Sequence, residues 1–222
     1  MNDQMPPFEG FGDQAISFWS QLKAHNNRDF FNAHRDVYDD HIREPLERLL
    51  AEVAEEFGAN GKVFRPNRDV RFSKDKSPYK LHGAAAIGDD GESSSVYYVH
   101  IGAEGLFVAS GIYLMTRDQL QRYYAAVDDD TSGRRLTTLV QRGRAAGLDV
   151  GGSALKTAPR GYSTDHPRIE LLRHKSLTVA RAFDPGQDWI FTRAALSRVT
   201  GLWRDAAAIN DWLTKHVGHP HG

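Results

Sequence analysis

The residues able to do chemistry gather in two basic stretches of this 222-residue chain. The first, RPNRDVRFSKDKSPYK (residues 65–80), sets Arg65, Arg68, Arg71, Lys74, Lys76 and Lys80 against Asp69 and Asp75. The second, KTAPRGYSTDHPRIELLRHK (156–175), sets Lys156, Arg160, Arg168, Arg173 and Lys175 against Asp165 and Glu170. Guanidinium groups grip phosphate or carboxylate in bidentate fashion, and lysine adds a point charge. Tyrosines beside such cations supply a ring face or a hydroxyl. These types together suit a small phosphate- or carboxylate-bearing ligand in a basic, tyrosine-lined pocket, with or without chemistry performed on it. The candidate binding residues are Arg68, Arg71, Ser73, Lys76, Tyr79, Lys80, Tyr98, His100, Lys156, Arg160, Tyr162, His174 and Lys175. His100 or His174 can serve as acid or base, because imidazole titrates near neutrality.

Two other readings compete with this one. The cations can simply be solvated or paired with nearby acids, making the protein a scaffold. Alternatively they form a non-enzymatic module for nucleic acid or a phosphorylated protein partner, expected to show steep salt dependence.

Sharper motifs are scarce. Ser73–Lys76 and Ser77–Lys80 match Ser-x-x-Lys, the spacing by which a lysine one helical turn on activates a serine. Pro78 and strand-like flanks oppose a helix there, and residues 156–158 read Lys-Thr-Ala rather than Lys-Thr-Gly. His34 and His41 can face one way on a helix, but no carboxylate of metal-site spacing accompanies them. No metal site is assigned and no cofactor follows from the residues. The chain has no Walker-type loop, no G-x-G-x-x-G, no H-E-x-x-H and no G-x-S-x-G.

Composition bounds the rest. The chain is 40% apolar and 26% charged, as a globular domain is. A formal net charge of −1 disfavours non-specific nucleic-acid binding by the whole chain, while a local patch can still act. No cysteine is present, which removes disulfides and thiolate chemistry. The opening residues carry neither a basic nor an apolar signal region, and no apolar run reaches the ~20 residues of a membrane helix. The expectation is a soluble cytoplasmic protein without a membrane partner, its oligomeric state open.

The elements that must position the basic stretches follow from periodicity. After a loose arm (residues 1–12), Ala15, Phe18, Trp19 and Leu22 recur at helical spacing. A second helix is expected to carry Phe30, His34, Val37, Tyr38 and His41 on one side. Pro45 starts or kinks a helix whose apolar stripe is Leu46, Leu49, Leu50, Val53 and Phe57, stopped at Gly58. Residues 68–73 and 79–88 read as strands. In the first, Asp69, Arg71 and Ser73 share one face while Val70 and Phe72 enter the core. Residues 95–101 and 106–114 pair as a hairpin across Gly102-Ala103-Glu104-Gly105. Thr116 caps a helix to about Val127, a further helix runs from Arg134 to Ala146, and 176–183 has strand composition. Ala195, Val199, Leu202, Ala206, Ile209 and Leu213 mark a long closing helix, with Gly201 a kink or close-packing point. The tail histidines His216, His219 and His221 can chelate metal adventitiously, but the tail is terminal and expected to be mobile.

The runs RDVRFSKDKSPYK (68–80), YYVHIGAEGLFVASGIY (97–113) and LKTAPRGYSTDHPRIELLRHKS (155–176) resemble the domain of unknown function 2461 family of conserved hypothetical proteins. FWSQLKAHNNRDFFNAHRDVYDDHIREP (18–45) is also similar to that family. The likeness spans roughly residues 13–217. It implies one domain holding both basic stretches, and carries no activity, ligand or catalytic residue with it. The expected fold is α+β: a single domain (13–217) with a central, mostly antiparallel sheet flanked by N-terminal and C-terminal helices, followed by a tail at 218–222.

Overall fold

The structure, a computed structural model, describes residues 5–88 and 95–220. Its sheet is six-stranded and antiparallel, in the order β1-β2-β3-β4-β6-β5. The strands are β1 (Gly61–Val63), β2 (His82–Gly88), β3 (Val96–Gly102), β4 (Gly105–Ile112), β5 (Asp149–Gly151) and β6 (Leu177–Phe183). Helices precede and follow the central strands, so the α+β class holds. The chain divides into two compact units. One comprises residues 1–87, 98–108 and 182–201, the other 88–97, 109–181 and 202–222.

In the first unit, α1 (Ala15–Ala24) buries Ala15, Phe18, Trp19 and Leu22, the stripe its spacing dictates. The next stretch is not one helix. It forms α2 (Arg28–Ala33), α3 (Arg35–Tyr38), a π-helical turn (Asp39–Arg43) and α4 (Glu44–Phe57). The break falls at His34, whose φ of −122° leaves the helical region and whose Nδ1 meets the Phe30 carbonyl at 2.8 Å. The π turn has a packing reason. Tyr38, Ile42 and Leu46 are all buried, and each step of four overshoots an α-helical turn by about 40°. One wider turn brings the next stripe back toward the core. Gly58 ends α4 at φ +113°, as expected. Gly83 on β2 meets this helical layer closely: a Cβ there would sit 2.4 Å from Ile42 Cγ2.

Residues 68–73 form no strand, which corrects the sequence expectation. Val70 is half-buried and Phe72 is 97% exposed, so neither enters the core as the alternation suggested. The strand expected at 79–88 begins at His82.

In the second unit, Thr116 caps α5 (Arg117–Asp128) in a full capping box with Gln119. Helix α6 (Asp130–Ala145) starts earlier than expected, because Asp129 caps it by accepting from Thr131 N and Ser132 N. Helix α7 (Ile169–Leu172) is one turn. Tyr123 is fully buried and donates its hydroxyl to the Leu171 carbonyl at 2.9 Å. Trp212 Nε1 donates to Ser132 O at 3.0 Å. The long helix α8 (Ala194–His216), whose residues to Gly201 belong to the first unit, runs through that glycine, where an added Cβ would meet nothing within 4 Å, so it marks no close approach. The tail expected to be mobile is held at its start: His216 closes α8, Gln119 Nε2 donates to Gly218 O at 2.7 Å and Arg122 to His219 O at 2.6 Å. His221 lies outside the described residues.

No helix among the described residues is long and apolar enough to cross a membrane.

Candidate functional site

The first unit holds Arg68, Arg71, Ser73, Lys76, Tyr79, Lys80, Tyr98 and His100; the second holds Lys156, Arg160, Tyr162, His174 and Lys175.

The loop 65–80 is built largely from its own polar groups. Arg71 grips Asp69 in bidentate fashion, Nη2–Oδ2 at 2.7 Å and Nε–Oδ1 at 3.0 Å. Arg68 pairs with Asp75 and reaches the Ser77 carbonyl at 3.4 Å. Asp75 also accepts from Ser77 N at 2.9 Å, and hydrogen bonding from Ser77, with Arg68 adding to it, holds its carboxyl well below the usual range. Lys76 Nζ donates to Val70 O at 3.0 Å. Ser73 is half-buried, with its backbone N–H on Val70 O at 3.3 Å. Such side-chain-to-backbone bonds, two residues apart at Asp69–Arg71 and Asp75–Ser77, compete with extended pairing and explain the missing strand.

Tyr79 anchors the loop instead of facing a ligand with its ring. It is 6% exposed and stacks on Phe31, ring centroids 4.1 Å apart. Asn26 brackets its peptide, donating Nδ2 to Tyr79 O at 3.0 Å and accepting from Tyr79 N at 3.1 Å.

From Lys80 onward the chain enters the sheet, and the candidates converge. His82 on β2 stacks against His100 on β3, centroids 4.6 Å apart and 29° between planes. On its other side His100 stacks against Phe107 of β4 at 4.9 Å. Its Nδ1 meets the Tyr98 hydroxyl at 3.2 Å. With both ring faces covered and Nδ1 engaged, Nε2 is the edge left for a ligand. Burial, with His82 adding to it, lowers the His100 pKa to about 4. His82 is lowered too, by burial and then by Lys80. Both imidazoles are therefore neutral at pH 7, and a neutral imidazole can donate one N–H to an anion.

Lys80 lies over the Phe64 ring, its ammonium 5.5 Å from the centroid. Among the described residues no carboxylate pairs with it. Burial, and then Arg65, disfavours its charged form. A cleft of about 320 Å³ opens beside the stack, lined by His82, His100, Phe107, the turn between β3 and β4, and Lys23 from the end of α1. That turn is the expected hairpin, Ala103-Glu104 between the strands. Gly105 takes φ +105° there, where a Cβ would fall 2.1 Å from Phe183 O.

In the second unit Tyr162 follows a turn closed by Tyr162 N to Pro159 O at 3.2 Å, with Gly161 at φ +96°. Tyr162 packs edge-on to Tyr124 at 5.9 Å, and burial raises its pKa. Nearby cations are largely structural. Arg168 is drawn onto the end of α5, Nε to Val127 O and Nη2 to Asp128 O, both 2.6 Å. Arg144 pairs with Glu170 at 2.6 Å. His166 Nδ1 accepts from Arg168 N at 3.0 Å, so its Nε2 carries the hydrogen toward Asp128. His174 is 7% exposed, with Nδ1 buried and unpartnered among the described residues, and burial lowers its pKa. Lys156, Arg160 and Lys175 are exposed, without side-chain partners among the described residues.

His82, Phe107, Lys23 and Phe64 are not among the candidates expected from the sequence. The position of His82 two residues after Lys80 was a usable signal. Its meeting with His100 depends on strand register, which spacing does not reveal. No group of three or more histidine and acidic side chains among the described residues is arranged to hold a metal ion.

The family model described as conserved hypothetical protein (DUF2461) matches residues 14–212. No curated protein matches the chain.

Proposed function

The chain belongs to the DUF2461 family of conserved hypothetical proteins, and we propose that it binds a small phosphate- or carboxylate-bearing ligand in the cleft beside His82 and His100. The observation that carries this reading is Lys80 beside His82, which stacks on His100: a cation with no carboxylate to balance it among the described residues. An incoming anion relieves the electrostatic cost of holding Lys80 charged near Arg65. The edge of His100 donates a hydrogen bond to it, and Phe107 gives an apolar wall for the rest of the ligand. Tyr98 fixes the His100 ring. Lys23 adds a second cation at the rim.

The test is a thermal-shift panel of nucleotides, sugar phosphates, coenzymes and carboxylic acids. A ligand that binds the native state raises the melting temperature. One chemical class is expected to do so, with the shift lost in Lys80→Ala and His100→Ala but kept in Arg71→Ala. Silence across the panel, or a shift equal in Lys80→Ala, overturns the reading.

One observation favours a second reading for two of the candidates, Arg68 and Arg71. Arg68–Asp75 and Arg71–Asp69 are internal pairs, as are Arg168–Asp130 and Arg144–Glu170 outside the candidate set. For these arginines the role is to shape loops, and ligand binding falls to the unpaired cations.

A further inference from the structure

Phe72 is 97% exposed, yet the loop that displays it is tied at several points. Its base is closed by Arg68 N to Pro78 O and Lys80 N to Pro66 O, both 2.8 Å, and by the bridge between Asn67 and Tyr79. Around the tip, Arg71 N donates to Asp69 Oδ1 at 3.2 Å and Lys76 Nζ to Val70 O at 3.0 Å, tying the backbone just before the ring to its own turn and to the residues after it. Arg65 and Lys74 are exposed and have no ion pair among the described residues, and Lys76 is bonded only to a carbonyl. An aromatic ring is thus held out in water on a fixed scaffold, with cations close to it in the chain.

We infer that this loop is a contact finger for single-stranded nucleic acid, with Phe72 stacking on one base and Arg65, Lys74 and Lys76 on the neighbouring phosphates. A protein partner is a poorer fit, because a stable interface buries about 800 Å² on each side and this tip offers one apolar side chain. Stable lipid anchoring likewise takes more than one weak signal. Base stacking works one ring at a time, and phosphates recur at every nucleotide. The chain's overall charge of −1 confines the attraction to this local patch, so a short tract is the expected footprint.

The experiment is fluorescence anisotropy of a fluorescein-labelled oligothymidylate of about twelve nucleotides. It is titrated with the full chain across about 20–200 mM salt. Wild type is expected to bind with a log–log salt slope near about −2, three phosphate contacts at ~0.7 each. Phe72→Ala is expected to weaken binding by about tenfold or more with the slope unchanged. Lys74→Ala with Lys76→Ala is expected to flatten the slope. Phe72→Trp should keep the affinity, and its indole emission should fall on binding. The exposure of Phe72 makes an unchanged melting temperature the check that these variants fold. Three results overturn the inference: no saturable binding at low salt, wild-type affinity in Phe72→Ala, or sedimentation with phosphatidylserine vesicles in place of oligonucleotide binding.

Discussion

His100 and His82 stand ring to ring, 4.6 Å apart, on neighbouring strands of the sheet. Two imidazoles this close, mostly out of water, disfavour protonation of each other. The pair is therefore set as a neutral hydrogen-bonding edge and not as a charged one. Its electrostatic complement is Lys80, which carries the positive charge instead.

The depressed pKa of His100 fixes the direction of a pH effect. Folded His100 titrates at about 4, whereas an unfolded histidine titrates at about 6.5. Between those values the unfolded chain binds more protons, so stability is full above about pH 6.5 and falls as pH drops toward 4. His82, His174 and His216 are shifted the same way and add to the slope. Urea midpoints are expected to fall from pH 7 to pH 5, and His100→Gln should flatten that fall. A fall as steep in His100→Gln as in wild type would contradict the assignment.

Lys80→Ala is expected to separate binding from folding. The side chain gives up a cation–π contact with Phe64, worth about 0.5–1 kcal/mol at a partly exposed site. Urea titration should show a loss of that size, while a ligand found in the panel loses most of its affinity. A large stability loss with affinity intact would assign Lys80 to the scaffold.

Arg71→Ala should do little to either property. Its side chain is 78% exposed, and its charge is already spent on Asp69, itself 51% exposed. Differential scanning calorimetry is expected to show a melting temperature close to wild type. A marked drop would mean that the Asp69–Arg71 pair holds the loop together.

Tyr79 gives the opposite pattern. Buried and stacked on Phe31, it should cost about 3–5 kcal/mol on truncation to alanine. Tyr79→Phe, which keeps the ring, should be close to neutral, since the tyrosine hydroxyl has no hydrogen bond among the described residues. Equal losses in the two variants would contradict the anchoring role.

Much of the fold was legible because single side chains decide it. Thr116 followed by Gln119 marks a helix start, and the steps from Ala195 to Leu213 mark the last helix. The glycines at 102 and 105 mark the hairpin. Residues 68–73 misled because Val70 and Phe72 alternate with polar residues as in a strand. Asp69 and Asp75 instead bond to backbone two residues on and turn the chain. The helix expected through His34 and His41 breaks at His34, whose φ of −122° leaves the helical region, and then widens by a π turn where Tyr38, Ile42 and Leu46 all reach the core. Of the candidate site, Lys80, Tyr98 and His100 were legible as residue types. The His82–His100 contact was not, because it arises from strand pairing across residues far apart in sequence.

The most direct test of the binding site follows the imidazole signals of His82 and His100 by long-range ¹H–¹⁵N NMR near pH 7. The protein is titrated with pyrophosphate and, separately, with citrate. The expected result is a saturable shift of both histidines with at least one of these anions, abolished in Lys80→Ala, while His219 stays fixed. Unmoved His82 and His100 signals at millimolar anion, or the same shifts in Lys80→Ala, would contradict an anion site at this stack.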